Sequence, residues 1–159
     1  AEAKWEVVMN QDIAVTRKGI TQFCAVVQKS DPGIIGPEAG SLDPKRWTTI
    51  LPSRGPVDYI SGSCMAIHRD VWRSIGGFYE LYFMYYEDVD LCVRAKRAGF
   101  ALQQVKIEGF RHESDASNAS KEYYLARNHL VFVLRNAPLL VKLHELLRLP
   151  KTIWESLCY

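Results

Sequence analysis

Acidic side chains crowd one short segment of the sequence. Glu87, Asp88 and Asp90 lie within four residues of one another, directly after an aromatic run. A single carboxylate is enough to cap a helix, and three like charges repel, so the cluster carries a cost unless a ligand uses it. A positioned carboxylate beside a bound hydroxyl can act as a general base. From the residues alone, helix capping and base catalysis are both open interpretations of this cluster.

A second set of candidate residues lies near the start of the chain. Asn10 and Asp12 follow an apolar segment at residues 5–9, which its composition predicts to be a largely buried strand. Open α/β sheets bind ligands beyond the carboxyl ends of their strands, and a carboxylate there can hold a divalent cation that in turn holds a diphosphate. The simpler alternative for Asp12 is that it caps the helix that follows.

Two further positions could belong to a ligand site. His112 lies in a polar segment after a predicted strand. A lone histidine is more often hydrogen-bonded than metal-bound, so its value depends on whether Asp12 lies nearby in space. Gly62, between Ser61 and Ser63, interrupts another predicted strand. A glycine there marks either a bulge or the close approach of a ligand.

The elements that must position these residues alternate along the chain. The spacing of apolar residues predicts helices over residues 17–29, 69–75, 87–98 and 119–136, and strands over residues 5–9, 34–35, 57–67 and 100–107. Residues 36–56 are rich in Gly, Pro and Ser and indicate a long loop of the kind that carries function. Alternation of this kind predicts an α/β fold around a mixed, mostly parallel sheet flanked by helices.

Composition and charge exclude several classes of protein. The 159-residue chain is 48% hydrophobic and 24% charged, as in ordinary globular domains, which excludes a disordered tail or a collagen-like fibre. The formal net charge is only +2, so we expect no nucleic-acid partner. The four cysteines form no C-x-x-C pair, which favours a reducing, cytoplasmic compartment.

The last part of the chain, residues 138–159, is expected to be an amphipathic helical extension of a domain formed by residues 1–137. Leucines recur there at helical spacing, Pro150 is predicted to break the helix, and Lys142, Arg148 and Lys151 lie near its polar face. Such a helix either packs against the sheet or a partner subunit, or lies on a membrane surface through residues 139–158. The sequence leaves both alternatives open.

The order of the motifs resembles that of a known enzyme family. Residues 60–100 combine a small-residue strand, I-G-G-F, an aromatic run, E-D-V-D-L-C-x-R and a closing A-G-F. This arrangement resembles glycosyltransferase family 2, in its rhamnosyltransferase-like branch with the GT-A fold. Asn10-Gln11-Asp12 is similar to that family's D-x-D motif. His112, Ser117, Tyr124, Arg127 and Asn128 resemble the family's tail motifs H-x-x-S and Y-Y-x-x-R-N, although four residues separate His112 from Ser117.

The resemblance implies a reaction and a role for each candidate residue. The family transfers a sugar from a nucleotide-diphosphate donor to an acceptor hydroxyl, with inversion at the anomeric carbon. Carried over, Asp88 is the general base, and Glu87, Gly62 and Ser63 bind the acceptor. Asn10, Asp12 and Arg127 bind the donor, and Asp12 with His112 holds Mg²⁺ or Mn²⁺. Because Asn10 stands where an aspartate often stands, the metal site would carry one charge fewer.

The resemblance also implies a larger catalytic domain. Family members begin with a βαβ half that binds the nucleotide, so we expect this chain to be the C-terminal half and to lack that nucleotide-binding half. We expect the isolated residues to be inactive. The implied partners are a nucleotide-sugar donor and a carbohydrate or lipid-linked acceptor. The implied setting is cell-surface polysaccharide or glycolipid synthesis, in the cytoplasm or on the inner face of the membrane. The alternative is a non-catalytic carbohydrate-binding or scaffolding module.

Overall fold

A computed structural model describes residues 3–53, 55–112 and 119–157 of the chain. Ser117, the serine of the predicted H-x-x-S motif, lies outside the described residues. The elements, in chain order, are β1 (Trp5–Met9), β2 (Ile13–Ala14), α1 (Arg17–Lys29), β3 (Gly33–Gly36), β4 (Ala39–Leu42), β5 (Thr49–Ile50), β6 (Tyr59–Ile60), β7 (Cys64–His68), α2 (Arg69–Ile75), a 3₁₀ turn (Glu80–Tyr82), α3 (Glu87–Arg97), β8 (Ala101–Gln104), β9 (Arg111–His112), α4 (Ala119–Asn136) and α5 (Leu139–Leu157).

The main sheet has four strands in the order β1-β7-β3-β8. β7 pairs antiparallel with both β1 and β3, whereas β3 and β8 pair parallel. The predicted mixed α/β class, a mixed sheet flanked by helices, is confirmed. The expected predominance of parallel pairs is wrong. Parallel neighbours need a long crossover, usually helical, and the chain places α2 and α3 between β3 and β8 but no helix between β3 and β7.

The centre of the main sheet is buried and its first strand is not. Every residue of β3 and β7 is buried. In β1 the side chains of Val7 and Met9 are 49% and 46% exposed. The prediction of a largely buried strand at residues 5–9 is therefore correct about the strand and wrong about its burial. An apolar run predicts a strand, but its burial depends on which neighbours cover it, and β1 lies at the edge of the described sheet.

A second, smaller sheet occupies the segment predicted to be a loop. β4 and β5 lie within residues 36–56, and with β6 they form a three-stranded sheet in the order β5-β4-β6. The single strand predicted over residues 57–67 is divided between the two sheets, since β6 belongs to the small one and β7 to the main one. The chain changes sheets at Ser61-Gly62-Ser63, which explains why small residues interrupt the apolar run.

The helices agree closely with the sequence prediction. α1, α2 and α4 have the predicted bounds, and α3 ends one residue earlier, at Arg97. Gly99 follows with a φ of 89°, the left-handed conformation that glycine adopts at least cost. The predicted break at Pro150 is wrong, because α5 continues across it to Leu157. Proline removes one amide donor from a helix, which bends or weakens the turn without always ending it. None of the helices in the described residues is long and apolar enough to cross a bilayer.

Candidate active site

Most of the predicted site residues line one cavity of about 440 Å³. Its polar lining includes Asn10, Ser61, Gly62, Ser63, Glu87, Asp88 and His112, and its aromatic lining includes Tyr59, Phe83, Tyr85 and Tyr86. Residues that are far apart in the sequence, such as Asn10 and His112, therefore meet near Ser61-Gly62-Ser63, where the chain passes from the small sheet to the main one. Asp12 is not among the described residues that line the cavity, but its carboxylate is in contact with His112. Arg127 is not among the described residues that line the cavity.

Asp88 is held in place by backbone amides. The Gly62 amide donates to Oδ2 and the Val89 amide donates to Oδ1, each at 2.7 Å. A Cβ atom on residue 62 would lie 3.2 Å from the Cβ of Asp88, so glycine permits this close approach. Burial raises the pKa of Asp88 above its ordinary value, and the amide hydrogen bonds act in the opposite direction. The carboxylate is thus oriented and more basic than an exposed one.

Glu87 differs from its neighbour in its hydrogen bonding. Its Oε2 atom is buried and has no hydrogen-bond partner among the described residues. Burial, and after it the charge of Asp88, raises the pKa of Glu87 to about 7. A buried polar atom without a partner is costly, so a ligand that donates a hydrogen bond to it gains affinity. Glu87 is suited to accept a hydrogen bond from a ligand.

The third acidic residue of the cluster, Asp90, belongs to the core and not to the cavity. Its side chain is fully buried. Oδ2 accepts from Arg94 Nε at 2.7 Å, and Oδ1 accepts from Asn136 Nδ2 at 2.7 Å and from the Tyr82 hydroxyl at 3.3 Å. The cluster therefore serves two purposes, since Glu87 and Asp88 line the cavity while Asp90 ties α3 to α4.

The connector before α3, residues 83–86, is held in an unusual backbone conformation. Three of its non-glycine residues have φ values of 63° to 71°, namely Phe83, Tyr85 and Tyr86. Such conformations cost of order 1–3 kcal/mol each and persist only where surrounding structure imposes them. Asn128 of α4, which is fully buried, supplies that constraint. Its Nδ2 donates to the carbonyls of Tyr82, Met84 and Tyr85 at 2.8, 2.6 and 3.0 Å.

Arg127 lies beside this connector. Its Nη1 donates to the Leu81 carbonyl at 2.9 Å and to Asn128 Oδ1 at 2.6 Å. The second bond orients the Asn128 amide so that its nitrogen faces the connector carbonyls. The structure thus gives Arg127 a supporting contact, and its predicted contact with the donor stays a prediction.

The pairing of β2 with β9 brings Asp12 and His112 together, since Ile13 lies opposite His112 in the ladder. His112 Nε2 is 3.4 Å from Asp12 Oδ2, and its Nδ1 is 3.2 Å from Glu38 Oε2. The same Glu38 oxygen accepts from Ser63 Oγ at 2.7 Å. Glu38 was not predicted from the sequence. The feature that could have indicated it is a single carboxylate in the segment G-P-E-A-G, directly after a buried strand.

Asp12 retains capacity for a ligand. Its Oδ1 atom is buried and has no hydrogen-bond partner among the described residues, which fits a carboxylate that binds a cation. Within the described residues no three His, Cys, Asp or Glu side chains converge in a geometry that could hold a metal ion. Asp12 and His112 therefore offer two protein ligands, and a cation bound there needs further oxygens from its substrate or from water.

Part of the sequence that forms this cavity matches a known protein family. The family model described as glycosyltransferase-like family 2 matches residues 47–128, which include β5, β6, α3 and Asn128. An N-acetylglucosaminyl-diphospho-decaprenol L-rhamnosyltransferase of Mycobacterium tuberculosis is 38% identical over 90 residues, covering 52% of this chain and 29% of the relative.

Two other relatives show the same partial coverage. The low-salt glycan biosynthesis hexosyltransferase Agl10 of Haloferax volcanii is 28% identical over 120 residues, covering 63% of this chain and 39% of its own length. Rhamnosyltransferase WbbL of Escherichia coli is 35% identical over 79 residues, covering 50% of this chain and 30% of the relative. The chain thus matches between 29% and 39% of the length of these relatives.

Proposed function

Because the chain belongs to glycosyltransferase-like family 2, we propose that it carries the acceptor side and the metal-binding side of an inverting glycosyltransferase. The observation that carries this proposal is the placement of Asp88 in a cavity where backbone amides fix both of its carboxylate oxygens. A base fixed in this way can accept the proton of an acceptor hydroxyl without reorganising during the reaction.

In the proposed reaction Asp88 accepts the proton of the acceptor hydroxyl. As that oxygen forms its bond to the anomeric carbon, the bond from this carbon to the donor phosphate breaks, and its electron pair stays on the diphosphate. Because the nucleophile enters opposite the leaving group, a single displacement inverts the centre. The raised pKa of Asp88 suits it to hold the proton once the bond has formed.

In this proposal the residues around Asp88 bind the acceptor. Oε2 of Glu87 has no partner in the part of the chain that the structure describes, and in this proposal it accepts a hydrogen bond from a second acceptor hydroxyl. Gly62 and Ser63 form the wall that leaves room for the sugar, and Phe83 and Tyr85 supply aromatic rings of the kind on which sugars stack. Two polar contacts and an aromatic wall fix the orientation of the hydroxyl that reacts.

Donor binding is proposed for Asn10, Asp12 and Arg127. Asp12 and His112 are suited to hold Mg²⁺ or Mn²⁺, since a carboxylate suits both ions and imidazole is better matched to Mn²⁺. A cation there offsets the negative charge that gathers on a diphosphate leaving group. Glu38 orients His112 in this arrangement through its contact with Nδ1.

The substrate class follows by analogy with the relatives. We propose a hexosyl or rhamnosyl donor and a glycan or lipid-linked acceptor, because the names of the Mycobacterium, Haloferax and Escherichia relatives specify rhamnosyl or hexosyl transfer, and the first also specifies a diphospho-decaprenol acceptor. The proposed setting is polysaccharide or glycolipid synthesis in the cytoplasm.

The test is the substitution Asp88→Asn in the longest natural polypeptide that contains this chain. We expect the rate of sugar transfer to fall by about 10²–10⁴, the usual contribution of a general base, while donor binding persists. Asp31→Asn is the matched control, since Asp31 is exposed in the turn after α1. Transfer retained by Asp88→Asn contradicts the assignment of the base. Saturable sugar binding without any transfer by the natural protein favours the binding module instead.

A further inference from the structure

One oxygen of Glu38 connects the two sides of the candidate active site. Its Oε2 accepts a hydrogen bond from Ser63 Oγ at 2.7 Å and lies 3.2 Å from His112 Nδ1. Ser63 belongs to residues 61–63, the segment between β6 and β7, which we call the sheet junction. His112 belongs to the pair that is proposed to hold the cation. A single carboxylate oxygen therefore contacts both the acceptor wall and a proposed metal ligand.

Glu38 is placed to orient the His112 ring and not to share a cation with it. An ionised carboxylate only accepts hydrogen bonds, so this contact assigns a proton to Nδ1 and leaves the lone pair of Nε2 for a metal ion. Nε2 is the nitrogen that lies 3.4 Å from Asp12 Oδ2. Because the two ring nitrogens point to different sides of the ring, Glu38 supports the imidazole from the side away from Asp12.

The backbone of the sheet junction also touches both sides of the site. The Gly62 amide donates to Asp88 Oδ2 at 2.7 Å, and the Ser63 carbonyl accepts from the Asn10 amide at 2.9 Å. The segment that orients the proposed base is thus bonded to the segment that leads into Asp12. A displacement of the junction therefore moves the base and the metal ligands together.

The hydrogen bonds around Glu38 form a continuous chain. The Glu38 carbonyl accepts from the Ser61 amide at 2.9 Å, and the Ser61 hydroxyl donates to Ser63 Oγ at 3.0 Å. Because Ser63 Oγ receives that bond, its own proton is directed to Glu38. Each step from Ser61 to His112 has one donor and one acceptor, so removal of the Ser63 hydroxyl breaks the chain at its centre.

We propose that Glu38 is a positioning residue that holds His112 ready for a divalent cation and ties the ring to the sheet junction. Residues behind a metal ligand set its orientation, and their loss usually lowers metal affinity about 10–100-fold. A further consequence is that Ser63 affects cation binding without touching the cation, because it acts through Glu38. This inference rests on the metal site proposed above, and the experiment separates the two.

The test is the affinity for Mn²⁺ alone, read from the electron paramagnetic resonance signal of the free ion, in the longest natural polypeptide that contains this chain. Glu38→Ala should weaken Mn²⁺ binding about 10–100-fold. Glu38→Gln should keep part of that affinity, because one oxygen accepts both hydrogen bonds and the amide oxygen of glutamine can replace it. If Glu38 acted only through its negative charge, the two variants would bind Mn²⁺ equally.

Ser63→Ala tests the connection to the sheet junction. It should weaken Mn²⁺ binding about 2–10-fold, the worth of one hydrogen bond, although Ser63 is not a proposed metal ligand. Ser30→Ala is the matched control, since the Ser30 hydroxyl donates at 2.9 Å to the Val26 carbonyl at the end of α1. Glu6→Ala, at an exposed position on β1, is the control for Glu38→Ala. Both controls should bind Mn²⁺ as the parent protein does.

Asp12→Asn shows whether Mn²⁺ occupies the proposed site. If Asp12→Asn loses Mn²⁺ binding but Glu38→Ala or Ser63→Ala keeps it, this inference is overturned and the metal site stands. Equal losses in Glu38→Ala and Glu38→Gln also overturn it, because charge alone then explains the effect. Mn²⁺ binding that Asp12→Asn retains, or no binding by the parent protein, overturns both. Unfolding temperatures without Mn²⁺ show that each variant is folded, and if Glu38→Ala is not, a parent-like affinity in both Glu38→Gln and Ser63→Ala overturns the inference.

Discussion

At the scale of single residues, two adjacent carboxylates in the cavity have different surroundings. Asp88 accepts hydrogen bonds from two backbone amides, whereas Glu87 has a buried oxygen without a partner in the described residues. Neighbouring carboxylates that differ in this way divide acid–base and binding roles in many enzymes. The two residues can be separated experimentally, because burial and the charge of Asp88 bring the pKa of Glu87 to about 7.

The first prediction concerns Glu87 and pH. Since the carboxyl ionises near pH 4.5 when exposed and near 7 when folded, the native state binds the extra proton between these values. Stability therefore falls as pH rises through this window and stays lower above it. Glu87→Gln removes this loss, so the variant should unfold at least about 2–4 °C higher than the parent protein at pH 8, the shift expected per kcal/mol in a chain of this size, and at the same temperature at pH 4. Calorimetry across this range is the measurement, and a gain that is equal at both pH values contradicts it.

The second prediction concerns the close approach of Gly62 to Asp88. Gly62→Ala places a methyl group 3.2 Å from the Asp88 Cβ, so Asp88 must shift by a few tenths of an ångström. Misplacement of a reacting group by 1 Å can cost about 10²-fold, so we expect a smaller shift to lower the rate of transfer roughly tenfold. Gly55→Ala is the control, because nothing lies within 4 Å of a Cβ there. Equal rates for the two variants would remove the proposed role of Gly62.

At the scale of elements, α4 imposes the conformation of the connector that leads into α3. The third prediction is that Asn128→Ala destabilises the protein by about 2–3 kcal/mol, because the carbonyls of Met84 and Tyr85 lose this donor in a partly buried site. The Tyr82 carbonyl still accepts from the Met84 amide. Asn128→Asp, which keeps the shape but replaces the donor by an acceptor, should be at least as destabilising.

The control for this element is Leu134→Ala, a 43% exposed position on the same helix. Denaturant unfolding should show little loss for Leu134→Ala and a large loss for both Asn128 variants. If Asn128→Asp is as stable as the parent protein, the amide does not constrain the connector in the way that its hydrogen bonds indicate.

At the scale of the whole molecule, the proposed metal ligands come from segments that are far apart in the sequence. Asp12 and His112 meet because β2 pairs with β9. The fourth prediction is that Mn²⁺ raises the unfolding temperature of the protein, since a cation that binds only the folded state stabilises it. Asp12→Asn should abolish the rise and Asp31→Asn should preserve it. A rise of equal size in both variants would place the cation elsewhere.

Sequence alone determined the local structure and the family. The bounds of α1, α2 and α4 follow from apolar spacing and from capping residues, which are local signals. The order of the motifs from Asn10 to Asn128 indicated the family that the comparison then showed. It also drew attention to the residues that line the cavity, because a reacting group is recognisable by type and by its place in a motif.

Only the tertiary structure decided which residues meet. It placed Glu38 beside His112, separated Asp90 from Glu87 and Asp88, and turned the predicted loop over residues 36–56 into a small sheet. It also showed that α5 buries Glu145 and exposes its leucines. The physical reason is that strand pairing, burial and the partner of a charge depend on contacts between distant segments, and local sequence patterns carry no information about which segments those are.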